Sequence, residues 1–312
     1  MTFKPFRSLI TAASISLILG NEAMSKPLPS ETEVRQSYQA HAAATQLLRW
    51  YQFYENTEAS FENQLDILQD DVTITSTTGT ANGHDEYKDR VAQIPSSWKN
   101  SHNLTDFNPT IDEDGNIQIN ASIIYQNIGM AEDGATVAYN IAYTTKLTPS
   151  DELLPKFSEI TLTLGDPADA GTFTNLYPKN RLLSLAHYWM TLVEDPQRNA
   201  EPFREILAAD FNIDFGRGAI TTFDGFAEWI AGPASSVSAS RHELQNFSYK
   251  ELGDNRYELT VDLDWTGILP NDAWMTAKTR HTWTVSDNPQ ERFARIEKIN
   301  VEVLEPFSPV EN

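Results

Sequence analysis

The chain has 312 residues, 40% hydrophobic and 11% aromatic: length enough for two domains and apolar area enough for two packed cores, which excludes wholesale disorder. Lys and Arg total 23 against 44 Asp and Glu, a net charge of −21, so a nucleic-acid duplex or an anionic membrane surface is repelled over most of the surface. The absence of cysteine removes disulfides, thiolate metal sites and thiol nucleophiles, and leaves packing to supply stability.

The chain opens on Lys4 and Arg7, followed by an apolar run from Ser8 to Gly20 and then polar sequence. Thirteen apolar residues are short for a bilayer, and Ala23-Met24-Ser25 places small residues ahead of a cut, so residues 1–25 read as a signal peptide and the destination as periplasmic or secreted. The alternative is an uncleaved anchor or an apolar N-terminal helix. No later stretch is apolar for long enough to span a membrane, and none is expected to bind one after cleavage.

Next, Leu47, Leu48, Tyr51 and Tyr54 recur at helical spacing and predict an amphipathic first helix. VTIT predicts a brief strand and EYKDRV a further helical turn, after which SHNLTDF at 101–107 leads into strict alternation. Ile117, Ile119, Ala121, Ile123 and Tyr125 share one face of one strand, and Val137, Tyr139, Ile141 and Tyr143 one face of the next. IDEDGN at 111–116 predicts the hairpin turn before the first of these, and Ile160, Leu162 and Leu164 a last strand. Gly, Pro and Asn then cluster near 165–180 and mark a joint.

Beyond the joint the pattern repeats. At a separation of 139, Trp50 falls on Trp189, Glu55 on Glu194, Ile67 on Ile206, Leu68 on Leu207, Asp71 on Asp210, Ile74 on Ile213 and Asp85 on Asp224. One inserted residue later, SHNLTDF lies on RHELQNF at 241–247, and Tyr125 on Trp265. The organisation expected is a signal peptide at 1–25, a first domain at 26–166, a linker at 167–178 and a second domain at 179–312. Helices followed by a run of antiparallel strands make each copy α+β, and a strongly curved sheet with helices across its hollow would enclose a pocket.

The order of a Trp-containing first helix ending in Glu, ILxxD before a short strand, GHDEYKDRV, then SHNLTDF and three alternating strands resembles the SnoaL-like branch of the nuclear transport factor 2 superfamily. The resemblance covers about 40–166 and again 180–305. It implies two tandem cone-shaped α+β barrels, a fold that hosts polyketide cyclases, ketosteroid isomerase, scytalone dehydratase and a dehydrochlorinase alongside binding and assembly domains. Activity therefore has to be argued from the site.

Of six histidines, His102 and His242 alone occupy equivalent places, each two residues before a Leu and so facing the apolar side. By resemblance to the dehydrochlorinase-like members, His102 pairs with Glu55 and His242 with Glu194, Asp195 being a rival to Glu194. The family more often has Asp there. Such a pair can take a proton from carbon, or it can be a structural His held by a carboxylate. Trp50, Tyr125, Tyr143, Trp189, Trp265 and His281 are the candidates for lining a pocket for a small apolar or aromatic organic ligand, the Trp and Tyr rings being equally suited to core. Asp71 and Asp210 read as turn or capping residues before the first strand of each copy, and Asp85 and Asp224 as first-turn helix acids. No metal-ligand spacing, GxGxxG, P-loop or GxSxG string occurs, so no metal and no cofactor are expected. Two readings result: a cofactor-free lyase, isomerase or cyclase with small-molecule pockets, or a non-catalytic ligand-binding or assembly module. In the second the halves pack sheet to sheet as an intramolecular pseudo-dimer, with further homo-oligomers open. The polar Arg241 and His281 predict the more polar pocket in the second copy.

Overall fold

The computed structural model describes residues 27–310 except Arg217, so the signal peptide expected at 1–25 lies outside the described residues. Helix α1 (Glu31–Arg35) opens on a capping box, in which Ser30 Oγ accepts from the Glu33 N–H and Glu33 Oε2 accepts from the Ser30 N–H. Helix α2 (Ser37–Glu55) follows, then α3 (Phe61–Asp66), β1 (Leu68–Ser76), β2 (Gly79–Asn82), α4 (Gly83–Val91), β3 (Lys99–Ile111), β4 (Ile117–Ile128), β5 (Thr136–Thr148) and β6 (Lys156–Pro167). The second half repeats this order: α5 (Tyr177–Glu194), a 3-10 turn (Glu201–Glu205), β7 (Leu207–Asp214), β8 (Ala219–Ile220), α6 (Phe223–Ala231), β9 (Ala239–Gly253), β10 (Arg256–Ile268), β11 (Trp274–Ser286) and β12 (Arg295–Pro309).

Each half forms one six-stranded sheet, in the order β2-β1-β6-β5-β4-β3 and β8-β7-β12-β11-β10-β9. The pairs β1–β6 and β7–β12 are parallel and the other pairings antiparallel. Equivalent bulges, between Leu104 and Asp106 in β3 and opposite Thr260–Asp262 in β10, bend both sheets around their helices. The fold is two tandem α+β cones. The IDEDGN hairpin forms as expected, with Gly115 at φ +79° and Asp112 Oδ1 accepting from the backbone N–H of Asp114 and Asn116.

Two expectations need correction. Asp71 and Asp210 are exposed residues within β1 and β7, where the register with the neighbouring strand shifts, rather than caps ahead of them. The halves also meet helix to helix, through α2 and α5, rather than sheet to sheet. Small residues mark the seam: Ala42 of α2 packs into the core of the second half, and Ser184 Oγ of α5 donates to the Thr45 carbonyl at 3.2 Å. Every residue from His41 to Gln52 is buried, because α2 lies between its own sheet and its twin. α1 also crosses over, burying Val34 against Ala239 and Ile268 of the second sheet.

Candidate functional site

Glu55 ends α2 and Glu194 ends α5, and each carboxylate reaches the start of the adjacent edge strand, where His102 and His242 stand opposite Tyr125 and Trp265. In the first half Glu55 Oε1 accepts the His102 backbone N–H at 2.7 Å and lies 3.2 Å from Nδ1. In the second, Glu194 Oε1 accepts the His242 backbone N–H at 2.6 Å and lies 2.9 Å from Nδ1. Both carboxylates are fully buried; the His102 side chain keeps 6% exposure and that of His242 15%. The longer Glu therefore reaches the ring, and Asp195 is not its substitute: its Oδ1 closes the turn that follows α5 by accepting the Gln197 N–H.

Each pair is completed from the other half of the chain. Asn180 Nδ2, on α5, donates to both oxygens of Glu55 at 2.9 and 3.1 Å and to the His102 carbonyl at 2.9 Å. At the equivalent position of α2 stands His41, whose Nε2 donates to the His242 carbonyl at 2.9 Å and lies 3.6 Å from Glu194 Oε1. With Nε2 carrying that proton, neutral His41 has Nδ1 free to accept, and the facing His187 Nδ1 at 2.8 Å is the donor. Sequence reading missed Asn180, His41 and His187. The signal for the first two was present, since the same separation of 139 that relates Glu55 to Glu194 relates His41 to Asn180. What it could not supply was that each would cross to the opposite cone.

The two environments differ. Tyr51 lies flat on the His102 ring, with centroids 4.8 Å apart and planes at 6°, and Tyr125 packs beside it at 5.3 Å while its hydroxyl donates to Asn100 Oδ1. Around His242 the neighbours are titratable. Burial pushes the Glu194 carboxyl up to about 7, against the opposing pull of His41, the Ser37 hydroxyl and the His242 N–H. Burial lowers His242, His187 and His281 to about 3 each, with Arg198, His41 and His242 respectively adding to the effect, and lowers His41 as well. The second site is the more titratable. His281 Nδ1 is buried without a hydrogen-bond partner.

Of the remaining sequence candidates, Trp50, Trp189 and Tyr143 are at most 3% exposed and form core: Trp50 packs on Tyr87 and Phe157, and Trp189 on Phe203, Phe226 and Trp283. Their flat, large rings fill the cones. Trp265 is half-buried and lies over Gly267 and against Phe307. Three clefts are lined by none of Glu55, His102, Glu194 or His242. Among the described residues no group of three or more His, Asp or Glu is placed to hold a metal ion, and no helix is long and apolar enough to cross a membrane.

No family model matches the chain, and no curated protein matches it. Solved structures do. The hexachlorocyclohexane dehydrochlorinase LinA-type3 from Novosphingobium barchaimii is similar at 14% identity and a TM-score of 0.38, covering 43% of this chain and 91% of that one. A nuclear transport factor 2-like superfamily protein from Salmonella enterica is similar at 11% identity and a TM-score of 0.36, with coverage of 40% and 89%. Aln2 from a Streptomyces species is similar at 10% identity and a TM-score of 0.37, with coverage of 42% and 94%. Each spans about one half of this chain, and the likeness is one of fold.

Proposed function

We propose that the chain binds a small organic molecule and moves a proton on it without a cofactor, as a lyase or isomerase does, with His242 as base and Glu194 as its positioning acid. The observation that carries this reading is the 2.9 Å Nδ1–Oε1 contact on a ring whose side chain keeps 15% exposure beneath a fully buried carboxylate. With Glu194 ionised, Nδ1–H donates to it, and Nε2 presents its lone pair to a carbon-bound proton. The imidazolium that forms is stabilised by the carboxylate, and its proton passes to the leaving group or to another carbon of the same molecule. His102 and Glu55 offer the same arrangement at 3.2 Å in the first cone. Export to the periplasm or beyond belongs to this reading and rests on residues 1–25; the N-terminal sequence of protein recovered from cells checks it.

The test is incorporation of solvent deuterium, followed by NMR, into weakly acidic carbon positions of a panel of alicyclic and aromatic ketones. Exchange that disappears in His242→Gln and shrinks in His102→Gln supports the reading; exchange unchanged in both variants, or none at all, sinks it. A second reading is favoured by the crossing bonds of Asn180 and His41: the pairs are fasteners between the cones of a non-catalytic binding module. In that case both substitutions lower the unfolding midpoint and change no exchange rate.

A further inference from the structure

The pseudo-twofold seam between the halves has two ends, and they are not alike. At one end Arg181 and Tyr177 of α5 fill the space. The Arg181 guanidinium donates from Nε to Asp287 Oδ1 at 2.8 Å, from Nη1 to Gln52 Oε1 and the Arg292 carbonyl, and from Nη2 to the carbonyls of Asn288 and Glu291. The Tyr177 hydroxyl donates to Asp287 Oδ2 at 2.8 Å. What remains open there is ≈ 20 Å³.

At the other end the internal repeat places Tyr38 where Tyr177 stands and Ala42 where Arg181 stands, and Pro149 follows β5 as Asp287 follows the equivalent β11. The guanidinium and its counter-ion are both gone, and a cleft of ≈ 690 Å³ lies between the halves, lined by all three residues. The connection that supplied carbonyls to Arg181 has its counterpart in residues 149–155, whose Ser150, Glu152 and Leu153 also line the cleft. Asp195, 6% exposed at the end of α5, lines it too, with Asp151, Glu152 and Glu205 against the single cation Arg292, which is already paired with Glu152 at 2.8 Å. Ile117, Leu154 and the Tyr38 ring offer apolar wall.

We infer that this cleft binds a small alkylguanidine, whose head takes the place that Arg181 occupies at the opposite end and whose stem lies along the Tyr38 and Leu154 wall. The connection equivalent to the one that holds Arg181 borders the cleft, the carboxylate charge is supplied by Asp195 in place of Asp287, and the volume exceeds one guanidinium by enough to admit a stem. Planar, five-donor geometry distinguishes this ligand from a simple ammonium.

Calorimetric titration of the full chain with agmatine tests the inference, with Nα-acetyl-arginine amide and n-butylamine as comparison ligands. Agmatine is expected to bind, with butylamine at least tenfold weaker; saturation by the arginine amide at lower concentration would identify a peptide arginine as the source of the same head group. Ala42→Arg restores the plug and should weaken agmatine at least tenfold. Asp195→Asn keeps an acceptor for the Gln197 N–H while removing the charge, so it should weaken binding about tenfold even if the Ala42 variant does not fold. No heat with agmatine, equal binding of butylamine, or affinity unchanged in Asp195→Asn overturns the inference.

Discussion

Acidification should destabilise this protein at mildly acidic pH, through its buried histidines. His187, His242 and His281 are held neutral by burial, with folded values of about 3 against an ordinary 6.5, so below pH 6.5 the unfolded chain takes up protons that the folded chain refuses. Stability contributed this way is present above the ordinary value and is lost as pH falls through the window between the two. Between about pH 7.5 and about pH 5 each imidazole contributes a loss of roughly 2 kcal/mol, roughly 6 for the three. Glu194 acts in the opposite sense: its folded value of about 7 lies above the ordinary 4.5, so the folded state binds that proton first and gains stability over the same interval. That gain is roughly 2 kcal/mol, leaving a net loss of roughly 4, a large part of a typical domain's stability. His41, also lowered by burial, adds to the loss. Urea unfolding followed by tryptophan fluorescence at the two pH values measures it. A His281→Gln variant, which removes one of the three imidazoles, should lose roughly 2 kcal/mol less over the interval. Stability equal or greater at the lower pH would refute the reasoning.

Arg181→Met should cost about 3–5 kcal/mol in urea unfolding, because it strands the buried Asp287 carboxylate and leaves the carbonyls of Asn288, Glu291 and Arg292 without a donor. Asn180→Leu removes the donor to both Glu55 oxygens and should cost about 1–3 kcal/mol by the same assay, with Asn180→His costing less because a ring N–H can reach the same carbonyl. Gly267→Ala would drive a Cβ into the Trp265 ring, so the indole must move; a shift in tryptophan emission and a loss of about 1–3 kcal/mol are expected.

The fold was legible because both signals that carry it are local. Strand alternation from Ile117 to Tyr125 and from Tyr257 to Trp265 survives as face-on registers, and β10 pairs with β11 residue for residue from Arg256–Ser286 to Ile268–Trp274. The glutamate–histidine pairs were legible by resemblance, since a helix end and a strand start meet wherever this order of elements closes. The seam was not. Nothing in the run AHAAATQLL states that it is buried all round, because a helix enclosed by its own sheet and by a twin loses the polar stripe that marks a surface. Nor does local pattern reveal Asp71 as a strand residue: two adjacent exposed acids at a register shift look like a turn until the neighbouring parallel strand is in place.

Joining the two cones in one chain changes what the seam can do. In a symmetric dimer of identical chains, position 41 and position 180 would be one residue, as would 42 and 181, so both carboxylate sites would receive the same crossing side chain and both ends of the seam would be equally open or equally plugged. Here Glu55 receives an amide that cannot titrate, while Glu194 receives an imidazole that leads on to His187. One end of the seam is locked by Arg181 on Asp287, and the other is relieved of both charges. The lock supplies the orientation of α2 against α5 that both glutamate–histidine pairs need, since their crossing donors lie on those helices. One half of the pseudo-symmetric seam thus holds the geometry, and the other is free to carry a titratable site and an open cleft.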